Sequence, residues 1–409
     1  MALGRLRYAY KYFRLLLVFG EVLSLGVELY ILNYMTSEIY LDNAATTRMH
    51  DEVLRTIIDA EKNNFHNSAA MYRGSLKVAD EIDRARQTIL SRLTRDKSGD
   101  LIFTSGATEA NNIVIFGKIT NPRHHMIVLA GEHSSSYAPS VHLRNNNLEV
   151  DYVPLLPDGT ADLDVLSRLV RKNTTLVVFS LVNSDTGVYQ PAGEIVDIVK
   201  RANPRAHIHC DAVQAFCKFD FDVSSLGFDS AAISAHKIYG PKGIGALWIK
   251  KGVNLRPIMY GGAQQDYRPG TENNSGILGF AKAVEVFDTK KSFEQISRLY
   301  NRLIETLPLG CKLSVSNCRN TNPYIVNMML PNVYGQTVMN ALSANGIYVG
   351  LGSACAKVAS KNRTLIAMGI PENRTKNVLR VSFGIYNTER EVDIFLQELC
   401  SILRDLKIR

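Results

Sequence analysis

Lys237 stands in Ser234-Ala-His-Lys-Ile-Tyr-Gly-Pro-Lys-Gly243, directly after an apolar run and among glycine and proline. Ordinary surface lysines sit on helices and loop tips. At the end of a buried strand, desolvation and neighbouring cations lower an amine's pKa and make it the nucleophile that a Schiff base requires. Four other run ends carry complementary chemistry. Ser105-Gly-Ala-Thr-Glu109 leads into the helix-compatible Ala110-Asn-Asn-Ile-Val, so free backbone N–H groups and the positive helix end can cradle a phosphate. Asp211-Ala-Val-Gln214 follows the run 207–210; a carboxylate there is costly unless a cation or a protonated heterocyclic nitrogen faces it. His133 follows the run 126–130, and Asn183-Ser-Asp-Thr-Gly187 follows 176–182. Each alone is compatible with a bland role, a tight turn or a hydrogen-bonded structural histidine. Together they set an anion cradle, a buried acid, an imine-forming amine and a histidine on one sheet edge. Pyridoxal 5'-phosphate requires that combination.

The elements that must position these groups are seven β-rich runs, at 101–104, 126–130, 150–153, 176–182, 207–210, 231–234 and 246–249. Near-continuous apolar strands separated by helical spacers (161–169 and 191–202 among them) predict an α/β fold. Its core is a mostly parallel seven-stranded sheet with helices on both faces, and ligands in such folds sit beyond the strands' carboxyl ends. From about residue 291 the pattern changes to long helices at 293–307 and 389–407 with short strands between. The expected domains are a large cofactor-binding one over 49–291 and a smaller α+β one made of 35–48 and 292–409.

Composition narrows the function classes. With 409 residues, 46% apolar and 21% charged, the chain has an ordinary globular make-up, which excludes disorder, collagen and coiled coil. A net charge of +8 over that length is too diffuse to indicate nucleic acid. Six cysteines without zinc-site spacing read as free thiols in a reducing compartment. Residues 1–34 start basic, with Arg5, Arg7, Lys11 and Arg14, but Glu21 and Glu28 interrupt the apolar runs and argue against a membrane-spanning helix. A presequence, an interfacial anchor and a plain extension all fit. The expected location is cytoplasmic, or mitochondrial if the segment is a presequence.

From Tyr40 to about Leu403 the chain resembles the class V aminotransferases among fold-type-I pyridoxal-phosphate enzymes, and within them the cysteine desulfurases. The resemblance rests on eight blocks in order: Tyr40-Leu-Asp-Asn-Ala-Ala-Thr-Thr47, Thr104-Ser-Gly-Ala-Thr-Glu-Ala-Asn-Asn112, Gly131-Glu-His133, Asp211-Ala-Val-Gln214, 234–243, Arg268-Pro-Gly-Thr-Glu-Asn273, Gly352-Ser-Ala-Cys355 and Arg380-Val-Ser-Phe-Gly384. It implies that Lys237 joins the cofactor's aldehyde. Asp211 would pair with the ring nitrogen, and Gln214 would donate to the phenolic oxygen. Thr108, Ser234, His236 and the backbone at Ala107 would hold the phosphate. His133 would stack on the ring and move protons. Asn183, Arg380 and Asn43 would hold the substrate carboxylate, and Thr271 would reach the phosphate of the other subunit in a homodimer.

Cys355 separates the subfamilies. It lies in a small, basic stretch with Lys357, Lys361 and Arg363, which favours the reactive thiolate. The resemblance makes it the carrier of a persulfide, so that L-cysteine becomes L-alanine and the sulfur passes to an acceptor protein. A selenocysteine lyase shares this chemistry, and a lapsed homologue acting only as a binding subunit is the other alternative. Three departures from the family stand out: Gly350-Leu-Gly352 before the cysteine, Asn67-Ser68, and Ser184-Asp185 in place of Asn-Glu. The last shortens a carboxylate near the cofactor. The iron–sulfur members' longer scaffold-docking tail is not present before Arg409, which leaves other sulfur destinations open.

Overall fold

The computed structural model describes residues 38–262, 264–315, 321–352 and 362–406. After a short strand β1 (Ile39–Tyr40), seven strands build one sheet: β2 (Asp100–Thr104), β3 (His125–Leu129), β4 (Glu149–Val153), β5 (Thr174–Ser180), β6 (His207–Asp211), β7 (Ser230–Ser234) and β8 (Gly245–Ile249). Their order is β2-β8-β7-β6-β5-β3-β4, and only β8 runs antiparallel to its neighbours. The expected seven-stranded, mostly parallel α/β sheet is what forms. Every residue of β3, β6, β7 and β8 is buried, because both faces are covered and alternation has no solvent side to report. Along β5 the alternation instead sorts residues between two cores. Leu176 and Val178 join the cluster on one face, Val177 and Phe179 the cluster on the other.

A third apolar cluster joins Ile39, Leu41 and Ala44 to residues between Ile296 and Leu403. Around it lie β9 (Lys312–Leu313), β10 (Ile325–Met329), β11 (Ile347–Tyr348) and β12 (Val378–Ser382), in which β10 pairs antiparallel with both β9 and β12, and β1 pairs parallel with β11. Val315, Leu365, Met368 and Val378 pack instead into the large sheet's core, so the apolar contacts do not divide cleanly at residue 292. Element ends differ from the sequence reading for local reasons. The helix expected from 293 starts a turn earlier, at Thr289, because the Asp288 side chain accepts the Lys291 N–H. The last helix, Glu389–Asp405, opens on a capping box between Thr388 and Glu391. Residues 1–34 lie outside the described residues. Among those described, no helix is long and apolar enough to cross a membrane.

Candidate active site

The sheet's carboxyl edge turns at β5, which lies between β3 on one side and β6 on the other, the kind of switch point where such sheets bind ligands. A cavity of about 510 Å³ opens there. Lys237, Asp211, His133, Gln214, Ser234 and Arg380 all line it, as do Ala107, Thr108 and His236. Nine side chains or backbones expected at the site thus share one cavity although up to 273 residues (380 − 107) separate them in sequence.

Lys237 ends the short helical turn Ala235–Lys237 that follows β7. Its Nζ donates to the carbonyls of Ala44 and Ala45, both at 2.6 Å, so the N-terminal loop closes over the amine. Asp211 is the last residue of β6. Its Oδ1 accepts the Val213 N–H at 3.1 Å and its Oδ2 accepts from Asn111 Nδ2 at 2.9 Å. Gln214 donates to the Ala44 carbonyl at 3.0 Å and accepts from Lys218 Nζ at 2.9 Å. Lys218 is fully buried, and burial first, then the Lys237 charge, pushes its pKa down to about 7. In sequence it reads as one more surface lysine four residues past Gln214.

The anion cradle is built by the start of the helix Ala107–Lys118. Gly106 caps it without a side-chain acceptor, so first-turn N–H groups remain for a ligand at the cavity wall. Gly245 permits the turn to sit this close: a Cβ there would lie 2.7 Å from Gly106 Cα and 2.6 Å from the Ile233 carbonyl. His236 stands by Thr46 Oγ1 at 3.1 Å, and burial followed by the Lys237 charge lowers its pKa to about 3, leaving a neutral imidazole.

His133 caps the helix Ser134–Asn145, its Nδ1 accepting the Ser135 N–H at 3.2 Å. Burial lowers its pKa, the Asp211 charge opposes the shift, and the Lys237 charge adds to it. A neutral ring is therefore available as a proton acceptor below the usual histidine range.

Glu132, next to it, is buried and accepts from the Ser180 N–H at 2.7 Å; its other oxygen lies 2.5 Å from the Ser180 hydroxyl. Burial pushes this carboxyl up to about 8, outweighing the lowering effect of the Ser180 contacts. A raised acid takes up a proton on folding. Stability is thus undiminished below the ordinary value of 4.5 and declines as pH rises through about 8. Glu132→Gln copies the shape of the protonated acid and is expected to flatten the fall in Tm across that window. Thermal melts between about pH 5 and 9 check this.

Arg380, on β12, is held by two carboxylates. Its Nη2 lies 2.8 Å from Asp42 and its Nη1 3.8 Å from Asp185, and Nη1 also donates to the Ser184 carbonyl at 3.0 Å. Asp185 is the shortened acid of the Ser184-Asp185 pair, and Thr364 Oγ1 donates to it at 2.7 Å. Removing the guanidinium takes the cation away from the buried Asp185 and the partly exposed Asp42. Arg380→Gln is expected to destabilise the protein by about 3–5 kcal/mol in denaturant titration.

Three expected residues do not line the cavity, and a fourth is not described. Asn43 lies outside the cavity lining; its amide donates to the Tyr40 and Ser382 carbonyls and to Asn387 Oδ1. Asn183 is also outside, its carbonyl oxygen accepting from Asp185 N, Thr186 N and Thr186 Oγ1 while its amino group donates to the Gly131 carbonyl. Both asparagines thus knit turns rather than face the cavity. Thr271 is exposed and does not line its own chain's cavity. Cys355 lies outside the described residues. Among those described, no cluster could hold a metal ion.

The class-V aminotransferase model matches residues 39–395. The chain is 33% identical over 377 residues to "Cysteine desulfurase IscS 1" of Archaeoglobus fulgidus, covering 90% of this chain and 97% of that protein. A solved "NIFS-LIKE PROTEIN" superposes with a TM-score of 0.84 at 32% identity, over 90% of this chain and all of the other. The solved structure of SspA in complex with cysteine is also similar, with a TM-score of 0.75 at 27% identity, over 86% of this chain and 100% of that one. Matched along nearly the whole of its described length, the chain belongs to the class-V aminotransferase family.

Proposed function

We propose that the protein is a pyridoxal-phosphate-dependent cysteine desulfurase that converts L-cysteine to L-alanine and keeps the sulfur as a persulfide on Cys355. The observation that carries this is the meeting of an amine, a buried acid and an uncapped helix start in one cavity, in a chain a third identical to a curated cysteine desulfurase. The donor set fits the cofactor. First-turn N–H groups at Ala107 and Thr108, with Ser234 and His236, suit its phosphate, Asp211 its ring nitrogen, Gln214 its phenolic oxygen and Lys237 its aldehyde. When bound, it supplies an electron sink that stabilises negative charge at the substrate's Cα.

The chain's own groups supply the rest. Arg380 offers the substrate carboxylate a planar guanidinium, already oriented by Asp42 and Asp185. With the cofactor bound, the Lys237 amine would be placed to take the substrate's Cα proton. The Cys355 thiolate attacks the substrate sulfur, the Cβ–S bond breaks with its electron pair left on carbon, and a proton taken up there yields alanine. His133, neutral and beside Asp211, is placed to return protons. The exposed Thr271 supports a homodimer in which it serves the neighbour's cavity. The sulfur then passes to an acceptor protein. Free Cys210, Cys217, Cys311 and Cys400 support a reducing compartment, which we take to be the cytoplasm.

Incubating the cofactor-loaded protein with L-cysteine and dithiothreitol should release alanine and sulfide in equal amounts. Sulfide without alanine, or neither product, would reject this reading.

A further inference from the structure

Behind Asp211 runs a line of buried polar side chains that the chemistry above does not use. Asn111, in the second turn of the helix Ala107–Lys118, donates from Nδ2 to Asp211 Oδ2 at 2.9 Å and to Ser135 Oγ at 2.8 Å. Its Oδ1 lies 2.9 Å from His209 Nε2. His209 Nδ1 is 2.8 Å from Ser230 Oγ, which is 2.7 Å from His207 Nε2. On the other branch, Ser135 Oγ is 2.8 Å from His133 Nδ1. Asn111, His209 and Ser230 are entirely removed from solvent.

One proton assignment satisfies every contact. An ionised carboxylate only accepts, so Asn111 must turn its amino group to Asp211, and its second hydrogen goes to Ser135. The Asn111 carbonyl oxygen then needs a donor, which puts a proton on His209 Nε2. Burial lowers the pKa of His209 to about 3, so the ring is neutral and its bare Nδ1 accepts the Ser230 hydroxyl. Ser230 in turn accepts from His207 Nε2. Ser135, its oxygen engaged by Asn111, gives its hydrogen to His133 Nδ1, which also accepts the Ser135 backbone N–H. A neutral His133 therefore carries its proton on Nε2.

We propose that His209 and Asn111 are positioning residues, locking one amide so that both of its hydrogens point toward the active site. One hydrogen binds and orients the Asp211 carboxylate, and the other orients the hydroxyl that selects the His133 tautomer. The inference rests on the proposed function to the extent that Asp211 must stay ionised opposite a protonated ring nitrogen. Without the His209 donor, the buried Asn111 carbonyl oxygen loses its partner and nothing fixes which way the amide faces.

The test compares His209→Phe and His209→Gln in the full chain, with two readouts besides turnover: the Kd for added pyridoxal phosphate and the pH midpoint of its visible absorption. The Phe variant is expected to bind the cofactor about tenfold more weakly, the worth of one hydrogen bond to a charged group. Its midpoint should move by at least about half a pH unit. The Gln variant, which still offers Asn111 a donor, should keep both near wild type. A folded Phe variant with wild-type affinity and midpoint overturns the proposal, and so does a Gln variant as impaired as Phe, which would indicate packing alone. Should His209→Phe not fold, Asn111→Leu must show the same displacement. Nitrogen-15 spectra of the unmodified chain give an independent check: His209 must be neutral and protonated on Nε2, and the other tautomer overturns the assignment. A wild-type chain that takes up no cofactor would instead defeat the functional reading, while the nitrogen spectrum would still judge the relay.

Discussion

Lys237→Ala removes alanine formation from cysteine by a factor of about 10⁴ or more, because it removes the amine that joins the cofactor and takes the Cα proton. Lys218 is the nearest rival by chemistry, with a pKa pushed down to about 7, yet its Nζ is directed at Gln214 Oε1 and over the Tyr324 ring. Lys242 also lines the cavity, on the loop between β7 and β8 beside the anion cradle. The variant should also lose the covalent link itself. Borohydride reduction followed by mass spectrometry finds the cofactor on a peptide containing residue 237 in the wild type and on none in the variant. Recovery of the label on another lysine would refute the assignment of Lys237. Loss of the Nζ contacts leaves the Ala44 and Ala45 carbonyls without their shared donor, so a modest fall in Tm should accompany the change.

The second large effect belongs to Cys355→Ala. Nucleophilic sulfur must be a thiolate, and burial works against that at three of the other cysteines. The Cys217 thiol is pushed up to about 12 and Cys311 to about 11, and Cys210 is raised well above the ordinary thiol value, burial being the first cause each time. These three stay protonated at neutral pH and cannot substitute. Sulfide release should fall by at least about 100-fold, while the visible band of the lysine-bound cofactor remains. Turnover equal to wild type would eliminate the persulfide step. A variant that lost its colour as well would show instead that Cys355 matters for cofactor binding.

Much of this was legible in the residues alone because parallel, doubly covered strands are short apolar runs. All seven runs became strands of one sheet, and the residues just past them line one cavity. What escaped was pairing between distant side chains. Nothing about Asn111 in Thr104–Asn112 announces Asp211, 100 residues on, as its partner. Asp42 and Arg380 meet across 338 positions. The hydrogen bonds that Asn43 and Asn183 make in their turns are likewise not something residue type reveals. Lys218 could not be told from a solvated lysine, since its burial depends on how residues 212–218 coil beneath Tyr324. Residues near 40 pack with the last third of the chain, and no pattern in the sequence announces that Leu365 and Met368 join the large core.

The loop at Ala44 and Ala45 that receives the Lys237 amine also carries a consequence for biosynthesis. Its strand β1 pairs with β11, Ile39 opposite Ile347, and Asp42 waits for Arg380. A ribosome releases the start of this chain long before those partners exist. A nascent polypeptide that has finished the big sheet therefore owns the amine, the acid and the loop residues that bond to the amine and to Gln214, but not the clamp for an amino acid. The hold on an amino acid's carboxylate is therefore completed only when the first and last parts of the gene product have met.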